Sequence, residues 1–278
     1  MLNPCTVCPR KCRVNRLDRE NREYGFCRVK DQAIVSSYHP HFWEEKCLVG
    51  KHGSGIIFFS SCNLACVFCQ NFEISQLREG QEVTKKQLAN MMLALLKQSC
   101  HNINLASPSI YVPQIIESLK IAKKQGLHIP IVYNTGGYDS IESLKLLDGI
   151  VDIYMPDFKY SDDKLAAKYS LVPNYWKVVT RAIKEMHRQV GDLIIENSLA
   201  KKGLLIRHLV LPNRIAGTRK VMNFLAKEIS PNTYVNLMEQ YYPRFKAYKY
   251  KKLARRISEW EFEQARKAAI EEGIKRFD

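Results

Sequence analysis

No apolar run in the 278 residues approaches the roughly 18 needed to cross a bilayer, which excludes a membrane-spanning helix. The opening Met1-Leu2-Asn3-Pro4-Cys5 lacks a charged-then-apolar stretch, so no secretory leader is expected. Internal repeats and low-complexity segments are absent. Acidic residues are few: 28 Asp plus Glu stand against 43 Lys plus Arg, for a formal net charge of +15. The hydrophobic fraction of 46% is too high for a disordered chain. A chain this long buries a full core without disulfide staples. These features describe a cytoplasmic protein with reduced thiols and one large domain, with a small appendage.

Cysteine is nearly missing from most of the chain and concentrated in one part of it. Eight of the nine lie between residues 5 and 69. Without an oxidising compartment, metal binding or catalysis is the better reading of such clustering. Cys5, Cys8, Cys12 and Cys27 form one group, and Cys62, Cys66 and Cys69 a second. Cys47 and Cys100 stand apart, and Cys100 reads as ordinary core.

Residues 1–50 show no long hydrophobic period and read as a metal-stapled segment, too short for a core of its own. From Gly53 the pattern changes. Gly55 to Phe59 is an apolar, β-favouring run. Thr84 to Lys97 has helical spacing, and Thr84 with Gln87 makes a capping box. Strand patterns at 103–106, 130–133, 151–155, 204–211 and 234–238 alternate with helical ones at 112–125, 139–147, 162–170, 173–191 and 218–229. Alternation of this kind implies a parallel α/β sheet. Six units fit residues 53–240, which favours an open, partial (β/α)6 barrel over a full eight-unit barrel, with a doubly wound sheet as the alternative. Lys251 to Lys275 is expected as one long charged helix. The expected divisions are 1–50, 51–245 and a basic helical extension over 246–278.

Cys62-Asn63-Leu64-Ala65-Cys66-Val67-Phe68-Cys69 follows the first strand with spacing C-x3-C-x2-C. Three thiolates on one loop suit three corners of a [4Fe–4S] cube and leave one iron open. A zinc knuckle or three buried thiols is the plain alternative. With the aromatic before the third cysteine, the loop resembles the signature of the radical S-adenosylmethionine (SAM) enzymes. Gly53 to Phe59, Cys69 to Gln76, Asn102 to Leu105, Tyr133 to Tyr138, Asp152 to Tyr160 and Arg207 to Pro212 resemble the pyruvate formate-lyase activating enzyme-related proteins, especially the PflX-like branch. The similarity spans about residues 4–245. It implies a [4Fe–4S] cluster on Cys62, Cys66 and Cys69, with SAM on the open iron and Phe68 beside the adenine. It implies reductive cleavage of SAM to a 5′-deoxyadenosyl radical that abstracts hydrogen.

Ligands of such barrels sit at the carboxyl ends of the strands. Ser107-Pro108-Ser109 ends the second strand where relatives carry a Gly-Gly-Glu type motif for the SAM amino group. Ser107 is a candidate there, and a mere turn the alternative. Asn134 and Thr135 end the third strand, and Met155-Pro156-Asp157-Phe158-Lys159 resembles a Met-x-Asp-x-Lys motif. In the activating enzymes these stretches form a cation site; Asn134 replaces an acid and weakens it. Asp157 and Lys159 share one face of a strand end, either as a structural ion pair or facing the pocket. Of Arg207 and His208 one faces inward. The resemblance favours Arg207 at SAM or substrate, and His208 is as well read as core. Asn236 and Gln240 are weaker candidates.

Cys5, Cys8, Cys12 and Cys27 offer four thiolates, read first as a zinc site, with a second [4Fe–4S] cluster as the rival. The basic run from Arg244 to Lys252 interleaves aromatics. It suits RNA, a solvated helix face, or an acidic flavodoxin- or ferredoxin-type reductant. By family analogy the substrate is a glycyl-radical enzyme. Radical modification of RNA or a small molecule is the alternative, and a non-catalytic iron–sulfur or zinc protein is the reading of another class.

Overall fold

A computed structural model describes residues 1–278. Its strands are β1 (Ala33–His41), β2 (Ser54–Phe59), β3 (Gln81–Val83), β4 (Ile103–Ala106), β5 (Ile131–Thr135), β6 (Ile153–Pro156), β7 (Ile194–Glu196), β8 (Leu199–Leu209), β9 (Tyr234–Met238) and β10 (Arg276–Phe277). They form one sheet in the order β10-β9-β8-β6-β5-β4-β2-β1-β3, with β7 pairing on β8. The six strands β2, β4, β5, β6, β8 and β9 are parallel neighbours in chain order. A doubly wound sheet reverses its order at a switch point. This sheet never does, and β2 does not pair with β9, so it is the open partial barrel that the alternation predicts.

Parallel strands covered on both faces become almost continuously apolar. All four residues of β4 and β6 and all five of β5 are buried. Gly55 is required in β2 because a Cβ there would lie 2.7 Å from the Asn102 carbonyl of the adjoining strand entry. The helix Lys85–Lys97 begins at the expected capping box, with Thr84 accepting from the Gln87 amide and the Gln87 side chain accepting from the Thr84 amide. Val112–Lys124 and Tyr175–Val190 also follow their predicted spans within two residues.

Two regions differ from the sequence reading. Ala33–His41, taken as part of a segment without period, pairs antiparallel with β2 and extends the sheet past its first parallel strand. Lys251 to Lys275 is not one helix. Only Glu259–Glu271 is helical, and it starts at a second capping box formed by Ser258 and Glu261. Lys251 to Ile257 is turn and coil, and Tyr241 Oη donates to the Leu253 carbonyl at 2.7 Å. One core of 60 buried residues runs from Cys5 to Ile274, so both ends of the chain pack on the barrel.

Candidate functional site at the carboxyl ends of the strands

A cavity of about 250 Å³ opens at the carboxyl ends of the parallel strands. The loop after β2 contributes Cys62, Cys66, Phe68 and Cys69 to its wall. Ser107 follows β4, Asn134 and Thr135 end β5, and β6 runs into Asp157 and Lys159; β8 contributes Arg207. The candidates Cys62, Cys66, Phe68, Cys69, Ser107, Asn134, Asp157, Lys159 and Arg207 therefore line this one cavity. Asn236 does not; it donates to Glu45 Oε1 at 2.9 Å, whereas Gln240 lies on the cavity wall.

The three thiols are set in place by their surroundings. The Leu64 amide donates to Cys62 Sγ at 3.3 Å, Ser170 Oγ to Cys66 Sγ at 3.0 Å, and Ser75 Oγ lies 3.1 Å from Cys69 Sγ. Burial pushes the Cys62 thiol up to about 12 and Cys66 to about 11, and the neighbouring sulfurs add to the effect at Cys62. Three crowded, buried thiols ionise together only if a cation takes the charge, and a polynuclear iron centre ligated by thiolates does so. No three His, Cys, Asp or Glu side chains anywhere in the chain converge to hold one ion. The donor set, three cysteine sulfurs on one cavity wall, is the kind that ligates a polynuclear iron centre. Phe68 is buried beside it, edge-on to Tyr160 and Tyr241 with ring centroids 6.4 and 5.9 Å away.

Opposite the thiols stands a buried ionic set. Arg207 Nε donates to Asp157 Oδ1 at 2.7 Å and Lys159 Nζ to Asp157 Oδ2 at 2.5 Å. Arg207 Nη2 also donates to Asn134 Oδ1 at 2.9 Å. Burial disfavours the Asp157 carboxylate, but Arg207 and Lys159 outweigh it and hold its pKa at about 2. Burial likewise works against Lys159, and the Asp157 carboxylate more than compensates. All three are therefore charged at neutral pH, in a place where charge is costly unless paired. The backbone matches: Asp157 and Arg207 form a parallel bridge, and the Phe158 amide bonds the Arg207 carbonyl at 2.8 Å. Gly137, with φ +80°, leaves room for the Asp157 carbonyl, which a Cβ would strike.

Two features escaped the sequence. Glu44, in the stretch between β1 and β2, reaches the cavity, with an oxygen 3.5 Å from Arg207 Nη1. Burial raises its pKa to about 8, and Arg207 offsets this only in part. No motif marks it. Below the cavity floor, Asp139 accepts from Tyr133 Oη at 2.9 Å and Thr135 Oγ1 at 2.6 Å, a network that stiffens the end of β5. The Tyr133-x-Thr135-x3-Asp139 spacing was the available signal. His208 faces away from the cavity and is core: Nδ1 donates to the Phe158 carbonyl at 2.6 Å and Nε2 lies 3.0 Å from Thr218 Oγ1.

The N-terminal cysteines also come together. Cys5, Cys8, Cys12 and Cys27 line a second, small cavity with Arg10, Arg16 and Asn63. The basic run packs beside the loop of Cys62: the Lys246 amide bonds the Val67 carbonyl at 2.8 Å, and Phe245 stacks on Phe72 at 4.9 Å.

The family model of the radical SAM superfamily matches residues 56–195. The chain is 33% identical over 271 residues to an uncharacterised protein of Methanocaldococcus jannaschii, covering 94% of this chain and 72% of that one. It is 26% identical over 164 residues to the pyruvate formate-lyase-activating enzyme of Clostridium pasteurianum, 56% of this chain and 61% of that enzyme. The crystal structure of methylornithine synthase shares the fold over 80% of this chain and 63% of that one, with a TM-score of 0.53 at 16% identity.

Proposed function

The chain belongs to the radical SAM superfamily, which implies an enzyme with a [4Fe–4S] cluster and SAM, and from that premise we propose that Cys62, Cys66 and Cys69 ligate three irons of the cluster. The observation that carries this reading is the meeting of the three thiols and the Asp157–Lys159–Arg207 set in one cavity. When bound, cluster and SAM together supply a 5′-deoxyadenosyl radical for hydrogen abstraction.

The chain's own residues then have distinct tasks. Phe68 offers a ring face or edge to the adenine. Ser107 and Asn134 supply polar groups at the ends of β4 and β5 for the amino acid part of SAM. Asp157 holds Lys159 and Arg207 as fixed cations, and the two cations bind carboxylate without reorganising. Phe68, Tyr160 and Tyr241 close the wall behind the loop and exclude water from it.

The reaction we propose is activation of a protein partner, in the manner of a glycyl-radical enzyme activase. The similarity to the Clostridium pasteurianum enzyme supports it. The reductant is an acidic flavodoxin or ferredoxin, drawn by the +15 charge and by the basic run beside the cysteine loop.

Cys66→Ala tests the ligand assignment. The variant is expected to lose the electron paramagnetic resonance signal that shifts when SAM is added to the reduced protein. Retention of a SAM-responsive signal would overturn it.

A further inference from the structure

We propose that Glu44, backed by Glu45, is the substrate-binding acid of the cavity and takes the ammonium end of an alkylamine group. This rests on the reading of the barrel mouth as the SAM site and names a substrate class for it.

The first observation is where the two acids stand. β1 runs antiparallel to β2 and brings the chain to the amino end of the barrel, with His41 opposite Ser54. The chain then turns inward, and Cys47 and Leu48 pack among Val132, Ile153, Met155 and Leu205. Glu45 Oε1 accepts from Asn236 of β9 at 2.9 Å, and Glu44 Oε2 lies 3.5 Å from Arg207 Nη1 of β8. Side chains two apart on a strand share a face. Leu209 and Met238 therefore stand one step nearer the carboxyl ends than Arg207 and Asn236. Both line the cavity, as do Phe58 and Ala106. An alkyl chain that enters along this apolar wall brings its end group to Glu44.

The second observation is a set of buried acceptors in want of donors. Glu45 is 4% exposed, and its Oε2 has no hydrogen-bond partner. Its carboxyl sits against that of Glu44 and within the field of Arg207. Arg207 is committed to other groups, with Nε on Asp157 at 2.7 Å and Nη2 on Asn134 at 2.9 Å. Its 3.5 Å approach to Glu44 is longer than the roughly 2.7–3.2 Å of a hydrogen bond. Buried acceptors without donors are costly and favour a ligand that donates.

The third observation is the charge count. Three carboxyls, Asp157, Glu44 and Glu45, face two cations, Lys159 and Arg207. One buried negative charge is in excess. A proton on Glu44 is one way to remove it: burial and the adjacent Glu45 and Asp157 hold that carboxyl up at about 8 against the pull of Arg207. An alkylammonium is the other. It balances three charges with three and carries three N–H donors, whereas a bare metal cation leaves the apolar wall unused.

Calorimetric titration of the full, anaerobically reconstituted chain with n-butylammonium tests the proposal, with n-butanol as the neutral probe of equal length. Wild type should bind butylammonium at least about tenfold more tightly than butanol. Glu44→Gln should lose that preference, and Glu44→Asp should keep part of it. Equal binding of the two probes by wild type, or an unchanged preference in Glu44→Gln, would overturn the proposal; the wild-type comparison decides if the variants do not fold. Butylammonium should bind with SAM present as well as without it. Displacement by SAM would assign Glu44 to the amino group of SAM and overturn the proposal. Glu44-dependent butylammonium binding by a chain that forms no 5′-deoxyadenosine would refute the SAM reading and support the amine site. Equal binding of Nα-acetyllysine methylamide supports a peptide-borne amine, and its exclusion supports a free alkylamine.

Discussion

At the scale of single residues, the barrel mouth is organised by partners rather than by isolated reactive groups. Asp157 is ionised only because Arg207 and Lys159 face it, and they remain buried cations only because of Asp157. His208, on the same strand as Arg207, shows the opposite case. Burial lowers its pKa from 6.5 to about 4, so the folded protein keeps it neutral while the unfolded chain protonates it near pH 6. Its stabilising contribution is complete above about pH 6.5 and is lost as the pH falls toward 4. Wild type should therefore lose about 2 kcal/mol more than His208→Gln between pH 7 and pH 5. Urea unfolding of both proteins at the two pH values measures this; equal losses would show that His208 does not titrate as a buried neutral imidazole.

The same residues show what a sequence can disclose. The cysteine loop, Asn134, Asp157, Lys159 and Arg207 were legible because each follows or ends a recognisable strand. Strand alternation plus the rule that ligands meet at carboxyl ends puts them at one mouth. Glu44 was not legible. It reaches Arg207 from a stretch with no repeat or motif, through a pairing of β1 with β2 that is a tertiary fact.

At the scale of elements, ends mattered more than middles. The Thr84–Gln87 box sets the start of the helix Lys85–Lys97 as its sequence suggests. Ser258 and Glu261 form the same device, and it cuts the expected Lys251–Lys275 helix down to Glu259–Glu271. Charge periodicity alone hid that boundary, although the Ser-x-x-Glu signal was present. Thr84→Ala removes a side-chain acceptor for an otherwise unpaired helix amide and should cost about 1 kcal/mol. A shift in the denaturant midpoint at unchanged slope would record it; no shift would mean that the cap contributes nothing.

For the whole molecule, the +15 charge matters through where it lies. The exposed Lys246, Lys249, Lys251 and Lys252 belong to a segment fastened to the cysteine loop through Val67 and Phe72. Reversing Lys249, Lys251 and Lys252 to Glu should slow reduction by flavodoxin at least about tenfold at low salt. Reduction by dithionite should change far less, and high salt should narrow the flavodoxin difference. Equal slowing with both reductants would place the docking surface elsewhere.

The partial barrel, the cysteine loop and the ionic set together amount to one claim: the mouth of this barrel cleaves SAM. The direct measurement is 5′-deoxyadenosine, formed when the anaerobically reconstituted chain is mixed with dithionite and SAM. The account predicts its formation by wild type and none above background by Cys66→Ala. A wild-type protein with an intact, reducible cluster that forms no 5′-deoxyadenosine would contradict it.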